Sequence, residues 1–307
     1  MPPGDPPTKD PGHLDDLVTE GRPSPPKDYE SLSTAELVEL MNREDAAVPA
    51  AVGAIARELA EVVDAVVAKL RGGGRLIYVG AGTSGALAAA DASECESTFS
   101  TRPGQVIALV AGAAFEAGPA RDAAEDDARA GADAIRSIEV AARDAVIGIS
   151  ASGRTPYVIG ALEAAAAAAA LTACVVSVPN SELARICEHE LAVVVGPEFV
   201  AGSTRLKAGT AQKLILNTVS TLSMIRLGKT YGDLMVDVAA TNEKLRARAR
   251  RAVQLATGGS DDEVDSALAA AHGSAKVAIV SLLAAIDADS ARERLKRAAG
   301  NVREALL

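Results

Sequence analysis

Apolar residues Val52, Ile55, Leu59, Val62, Val66 and Leu70 recur every three or four positions, predicting an amphipathic helix over 45–70 that Gly72-Gly73-Gly74 stops. Ahead of it, Ser33-Thr34-Ala35-Glu36 carries the capping-box spacing of a shorter helix. Beyond the glycines the pattern changes. A short apolar run at 75–79 ends in Gly80-Ala81-Gly82-Thr83-Ser84-Gly85, and helix formers follow through Ala90. Further strands are expected at 106–110, 145–149, 173–178 and 191–195, with helices over 119–138, from Pro156, and over 204–227. Short, almost wholly apolar strands alternating with helices specify an α/β fold with a five-stranded parallel sheet buried on both faces. After Gly258-Gly259 only helical patterns remain, near 261–272, 274–286 and 289–306, read as a small C-terminal three-helix bundle. The expected organisation is an N-terminal arm and short helix (1–44), the α/β domain (45–257) and the bundle (258–307).

Composition narrows the chemistry. The 307 residues are 49% apolar but only 2% aromatic, with no tryptophan, so the core is built from Ala, Val, Leu and Ile. A net charge of −10 and few stacking rings exclude the usual equipment of nucleic-acid binding. Cys95, Cys174 and Cys187 form no CxxC pair, and His13, His189 and His272 share no ligand spacing, so neither a metal site nor a disulfide scaffold is expected. The first residues, MPPGDPPTKDPG, lack the apolar core of a signal peptide. The Ala-rich stretch 161–178, interrupted by Glu163 and Thr172, reads as helix then strand and not as a membrane span. A cytoplasmic protein without membrane contact is the expectation.

Two strand ends carry the candidate chemistry. The loop at 80–85 satisfies GxGxxG, but the second strand ends in Leu109-Val110-Ala111-Gly112, with no acid to hold a dinucleotide ribose. Gly82, Thr83 and Ser84 in this loop are matched after the third strand by Ser150, Ser152, Gly153, Arg154 and Thr155. Two loops that each combine backbone N–H groups at a helix start with hydroxyl donors suit one compact phosphate group better than a dinucleotide. Tight turns with helix-capping serines are the simpler alternative. Arg205 and Lys207 are placed either to neutralise phosphate or to pair with acids, and Cys95 reads as a small buried residue.

The paired loops resemble the sugar isomerase (SIS) domain, a flavodoxin-like phosphosugar-binding fold. GGGRLIYVGAGTSG (72–85), DASEC (91–95), ASGRTPYVI (151–159), GSTRLKAGTAQKLILN (202–217) and LMVDVAATNEKL (234–245) resemble, more narrowly, the N-acetylmuramic acid 6-phosphate etherases. The resemblance runs from Thr19-Glu20-Gly21 to the C-terminal helices. It implies a cytoplasmic homodimer that needs no cofactor and cleaves the D-lactyl ether of its phosphosugar by elimination and water addition. It places two active-site glutamates at Glu94 and Glu125. Ala86 stands where the family commonly has Arg, Glu96-Ser97-Thr98 replaces a proline-containing segment, and 111–118 is unusually rich in alanine. Two other functions use the same loops: aldose–ketose isomerisation of a phosphosugar, and non-catalytic phosphosugar-binding regulation similar to that of the glucokinase regulatory protein.

Metal-free ether cleavage requires a base for the C2 proton and an acid for the departing C3 oxygen, roles that one carboxyl can fill in turn. An unbroken helix from Ser84 carries Glu94 about 15 Å away, too far for one hexose phosphate. The expectation is therefore either a helix break near Asp91 or phosphate held mainly by 150–155, with the first loop nearer the sugar; the second arrangement is preferred.

Overall fold

The computed structural model describes residues 18–22, 28–113, 118–238 and 242–307, without the side chains of 18, 121 and 122. Most of the expected N-terminal arm, with His13, and the centre of the Ala-rich stretch (114–117) lie outside the described residues.

Helix α1 (Thr34–Asp45) opens with the expected capping box, Ser33 and Glu36 each accepting from the other's backbone N–H. The single helix expected over 45–70 is instead two, α2 (Val48–Gly53) and α3 (Ala56–Arg71). Pro49 fits the first turn of α2, where its missing N–H costs nothing, and the chain restarts after Gly53 and Ala54. Strand β1 (Leu76–Gly80), helix α4 (Gly82–Phe99) and strand β2 (Val106–Val110) follow. The helix expected over 119–138 is also divided, into α5 (Pro119–Ala123), the 3₁₀ turn Ala124–Asp126 and α6 (Ala128–Ser137). Asp127 causes the restart: its side chain accepts from Ala130 N–H and caps α6.

The chain continues through β3 (Ala145–Ile149), α7 (Pro156–Ala167), β4 (Leu171–Val176), β5 (His189–Ala192) and α8 (Lys207–Arg226). Strands β4 and β5 each begin two residues earlier than expected. A two-stranded hairpin, β6 (Thr230–Tyr231) and β7 (Leu234–Met235), was not anticipated; it turns on Gly232-Asp233, with Gly232 at φ +59°.

The five-stranded sheet is parallel throughout, in the order β2-β1-β3-β4-β5. The direction of strand succession reverses between β1 and β3, and Gly80 and Ile149 end those strands side by side. The reversal opens the crevice in which such sheets bind ligands. Alternate residues of β1 face opposite layers. Leu76 and Tyr78 pack with Val62 and Val66 of α3 and Ile215 and Val219 of α8, while Ile77 and Val79 pack with Ile135 of α6 and Val158 and Leu162 of α7. Close approach of α6 to α7 depends on Gly131 and Gly160, where a Cβ would collide with the backbone of the facing helix.

The C-terminal region comprises α9 (Glu243–Thr257), α10 (Asp261–Ala270), α11 (Ala275–Ala284), α12 (Ala288–Arg297) and α13 (Val302–Ala305). The helix expected over 289–306 is thus divided into α12 and α13, with Gly300 at φ +82° between them. Val264, Ile279, Leu295 and Val302 form its apolar centre, to which Val236, Ala249 and Val253, all before Gly258, also contribute. Among the described residues, no single helix is long and apolar enough to cross a membrane.

Candidate functional site

The loop after β1 is compact because both its ends are glycine. A Cβ on Gly80 would lie 2.8 Å from Gly85 N, and Gly82 takes φ +51°. Helix α4 then starts with Ala81 at its N-cap, which offers no side-chain acceptor. The loop after β3 is held by its own hydroxyls. Ser150 Oγ lies 2.8 Å from Thr155 Oγ1 and 3.4 Å from Ser152 Oγ, and it accepts from Gly153 N–H at 3.1 Å. Arg154 N–H donates to Ser152 Oγ. Gly153, at φ +67°, lies against Ser181 where a Cβ would clash. Thr155, the N-cap of α7, makes no capping hydrogen bond through its side chain. Two helix N-termini thus open on the crevice with first-turn N–H groups and the positive ends of their dipoles, a setting that favours an anion.

Both loops line one cavity of about 240 Å³. Gly82, Thr83, Ser84, Ser150, Ser152 and Thr155 are on its wall, whereas Gly153 and Arg154 are not. Ser84 donates its hydroxyl to Gln212 Oε1 of α8 at 2.9 Å, tying the first loop to that helix. Three polar residues from outside the two loops also line it: Glu125, which stands exposed in the 3₁₀ turn between α5 and α6, and Glu20 and Thr204, which sequence reasoning missed. Their only sequence signals were membership of the strings Thr19-Glu20-Gly21 and GSTRLK.

Glu94 lies elsewhere. Helix α4 is unbroken, so of the two alternatives the break near Asp91, which was not the preferred one, does not occur, and Glu94 is about 15 Å along the helix from Ser84. It is exposed beside a second cavity of about 210 Å³, together with Asp91, Lys213 and Asn217. The helix continues because its inner face remains buried through Ala88, Ala92, Cys95 and Phe99. Buried Asp91 is also satisfied there, accepting from Tyr78 Oη at 3.0 Å, Asn217 Nδ2 at 2.6 Å and Ser220 Oγ at 3.0 Å. Burial, with Asp91 adjacent, holds the Tyr78 phenol well above its ordinary pKa, so it remains a donor.

The other candidates have structural surroundings. Burial, with Asp91 nearby, pushes the Cys95 thiol up to about 12, which leaves almost no thiolate for nucleophilic chemistry. Lys207 is buried and its Nζ is 3.3 Å from Glu44, so it is tied to a carboxylate rather than facing the crevice. Arg205 is exposed, and half-buried His189 pairs with Ala173 in the sheet.

Comparison with known proteins follows the same lines. Residues 58–166 match the family described as the glucokinase regulatory protein N-terminal SIS domain. A phosphoheptose isomerase structure from Francisella tularensis aligns with a TM-score of 0.50 at 17% identity, over 63% of this chain and all of that one, a likeness of fold. The N-acetylmuramic acid 6-phosphate etherase of Rubrobacter xylanophilus is 54% identical over 293 residues, 95% of this chain and 97% of its own. That of Streptomyces avermitilis is 50% identical over 95% of this chain and 94% of its own. With half its residues shared across nearly its whole length, the chain belongs to the N-acetylmuramic acid 6-phosphate etherase family.

Proposed function

We infer that the protein cleaves the D-lactyl ether of N-acetylmuramic acid 6-phosphate, giving N-acetylglucosamine 6-phosphate and D-lactate in the recycling of cell-wall amino sugars. The observation that carries this reading is the near-full-length identity to relatives named for that etherase. The site adds chemical sense. Hydroxyls and helix N-termini suit the phosphate, and a carboxylate, Glu125, stands on the wall of the same cavity. In the elimination half, a glutamate removes the C2 proton of the opened sugar. The C3–O bond breaks with its electron pair on the lactyl oxygen, which a carboxylic acid protonates. Water then adds its oxygen to C3 of the unsaturated aldehyde while C2 regains a proton. The net change is addition of one water, with no oxidation or reduction, and it needs no cofactor. Glu94 is assigned the principal acid–base role and Glu125 the supporting one.

The protein is taken to act as a cytoplasmic homodimer with its sites near the interface, binding no nucleic acid. Two observations support the dimer: Glu94 and the loops line different cavities of one chain, and Leu222 and Ile225 of α8 are exposed. A second copy supplies Glu94 to a substrate that it does not reach within its own chain. Incubation with N-acetylmuramic acid 6-phosphate and an assay for D-lactate tests the function. Lactate release without added metal or nucleotide supports the etherase. A ketose phosphate points to an isomerase, and binding without turnover to a regulator; either result overturns the etherase reading.

A further inference from the structure

The cavity wall includes a carboxylate that the elimination does not use. Glu20 ends the 3₁₀ turn Val18–Glu20 and reaches the cavity lined by the two phosphate-type loops. Its placement is built rather than incidental. Thr19 beside it is buried, and Gly202, at φ +76°, leaves the space that the carboxylate fills: a Cβ there would lie 2.7 Å from Glu20 Oε2. The segment around Gly202 is fixed from both sides. Tyr29 donates its hydroxyl to Phe199 O at 2.7 Å and stacks on the Phe199 ring with centroids 4.5 Å apart. The buried Glu198 carboxylate accepts from Lys207 and Ala208 N–H at 2.9 Å each, capping α8. Thr204, from the same segment, lines the same cavity.

A carboxylate on the wall of an anion site has to face a part of the ligand that donates hydrogen bonds, because an ionised carboxylate only accepts. The phosphate and the lactyl carboxylate offer no donors and repel it. The donors on an N-acetyl amino sugar phosphate are its hydroxyls and its acetamido N–H. We propose that Glu20 is a specificity-determining residue, accepting hydrogen bonds from the sugar's hydroxyl and acetamido donors while the loops hold the phosphate. The inference rests on the proposed phosphosugar function and adds to it the residue that separates an amino sugar phosphate from a bare anion.

Calorimetric titration of the full chain with N-acetylglucosamine 6-phosphate and with inorganic phosphate tests this, alongside kcat and KM for lactate release. Loss of a charge-assisted hydrogen bond corresponds to about 10–100-fold in affinity. Glu20→Gln and Glu20→Ala are therefore expected to weaken sugar phosphate binding by about that factor, and to raise KM more than they lower kcat. Inorganic phosphate should bind unchanged or more tightly, because a nearby negative charge has gone. Gly202→Ala, which displaces the carboxylate, should reproduce the selective loss. Equal weakening of both ligands in the Glu20 variants would mean a merely structural role and overturn the proposal. So would unchanged sugar phosphate affinity. A wild-type chain that binds no sugar phosphate overturns the functional reading itself, and is told apart from the other outcomes by needing no variant.

Discussion

Replacing Asp91 perturbs the helix that carries Glu94 without touching Glu94 itself. The carboxylate is 6% exposed and accepts from three neutral donors, Tyr78, Asn217 and Ser220, which join α4 to β1 and α8. In Asp91→Ala the Tyr78 hydroxyl (0% exposed) loses its acceptor while sealed from water and the Ser220 hydroxyl (3%) keeps only Asn217 O at 3.4 Å, whereas half-buried Asn217 can rehydrate. One stranded donor at about 1–3 kcal/mol, together with the two hydrogen bonds lost by Ser220 and Asn217 at about 1 kcal/mol each, gives a loss of roughly 3–5 kcal/mol. Removal of a buried charge returns part of this, so about 3 kcal/mol is expected. Asp91→Asn retains one carbonyl oxygen for Asn217 and Ser220 and turns an N–H toward Tyr78, so a cost of about 1 kcal/mol follows. Urea unfolding should place the midpoint of Asp91→Asn below wild type, and that of Asp91→Ala about 1 M or more below it. A double-mutant cycle with Ser220→Ala should show coupling of at least about 0.5 kcal/mol. An Asp91→Ala midpoint indistinguishable from wild type, or one above that of Asp91→Asn, would refute the reasoning.

Glu94→Gln should lower kcat by roughly 10²–10⁴-fold with phosphosugar affinity retained, while Ser152→Ala and Thr155→Val should do the reverse; steady-state lactate release and calorimetry separate the two. Mixing equal amounts of Glu94→Gln chains with chains carrying Ser152→Ala and Thr155→Val should restore about a quarter of wild-type activity, since half the dimers are mixed and each has one intact site; no recovery after subunit exchange would count against a shared site. Asp144 joins the starts of β1 and β3 through Arg75 Nη2 at 2.7 Å and Arg75 N–H at 2.9 Å. Burial alone raises its carboxyl, but hydrogen bonds from the Arg75 side chain and from Ala141 and Arg75 N–H outweigh that and hold it below the ordinary carboxylate range. A folded pKa below the unfolded value stabilises fully above pH ~4 and loses that contribution as pH falls through the folded value. Asp144→Asn should therefore have a lower Tm than wild type at pH 7, with a gap that narrows in acid; a gap independent of pH would oppose this.

Strands β1, β2 and β3 were legible because each is a short apolar run with clear punctuation at its carboxyl end, glycine-rich after β1 and hydroxyl-rich after β3. Strand β4 was placed two residues late because the run from Ala164 to Leu171 is apolar throughout and marks no boundary between helix and strand. Periodicity alone joined α2 to α3 and α5 to α6, overriding local signals that were present: Pro49 and Gly53 in one case and the capping Asp127 in the other. The two phosphate-type loops could be read because glycine and hydroxyl residues cluster at strand ends. Glu20 and Thr204 could not, since each comes to the cavity by a tertiary route, the first through a turn seated on Gly202 and the second through the segment before α8. The unbroken course of α4 is likewise a tertiary result, set by the partners that buried Asp91 finds on β1 and α8.

Isotope incorporation during a single conversion of N-acetylmuramic acid 6-phosphate tests the elimination–hydration chemistry most directly. The reaction is run once in heavy water and once in ¹⁸O-water, and the products are read by NMR and mass spectrometry. Deuterium at C2 and ¹⁸O at C3 of N-acetylglucosamine 6-phosphate, with unlabelled lactate, is the expected result. Retention of the original hydrogen at C2, with ¹⁸O in lactate instead of the sugar, would contradict it.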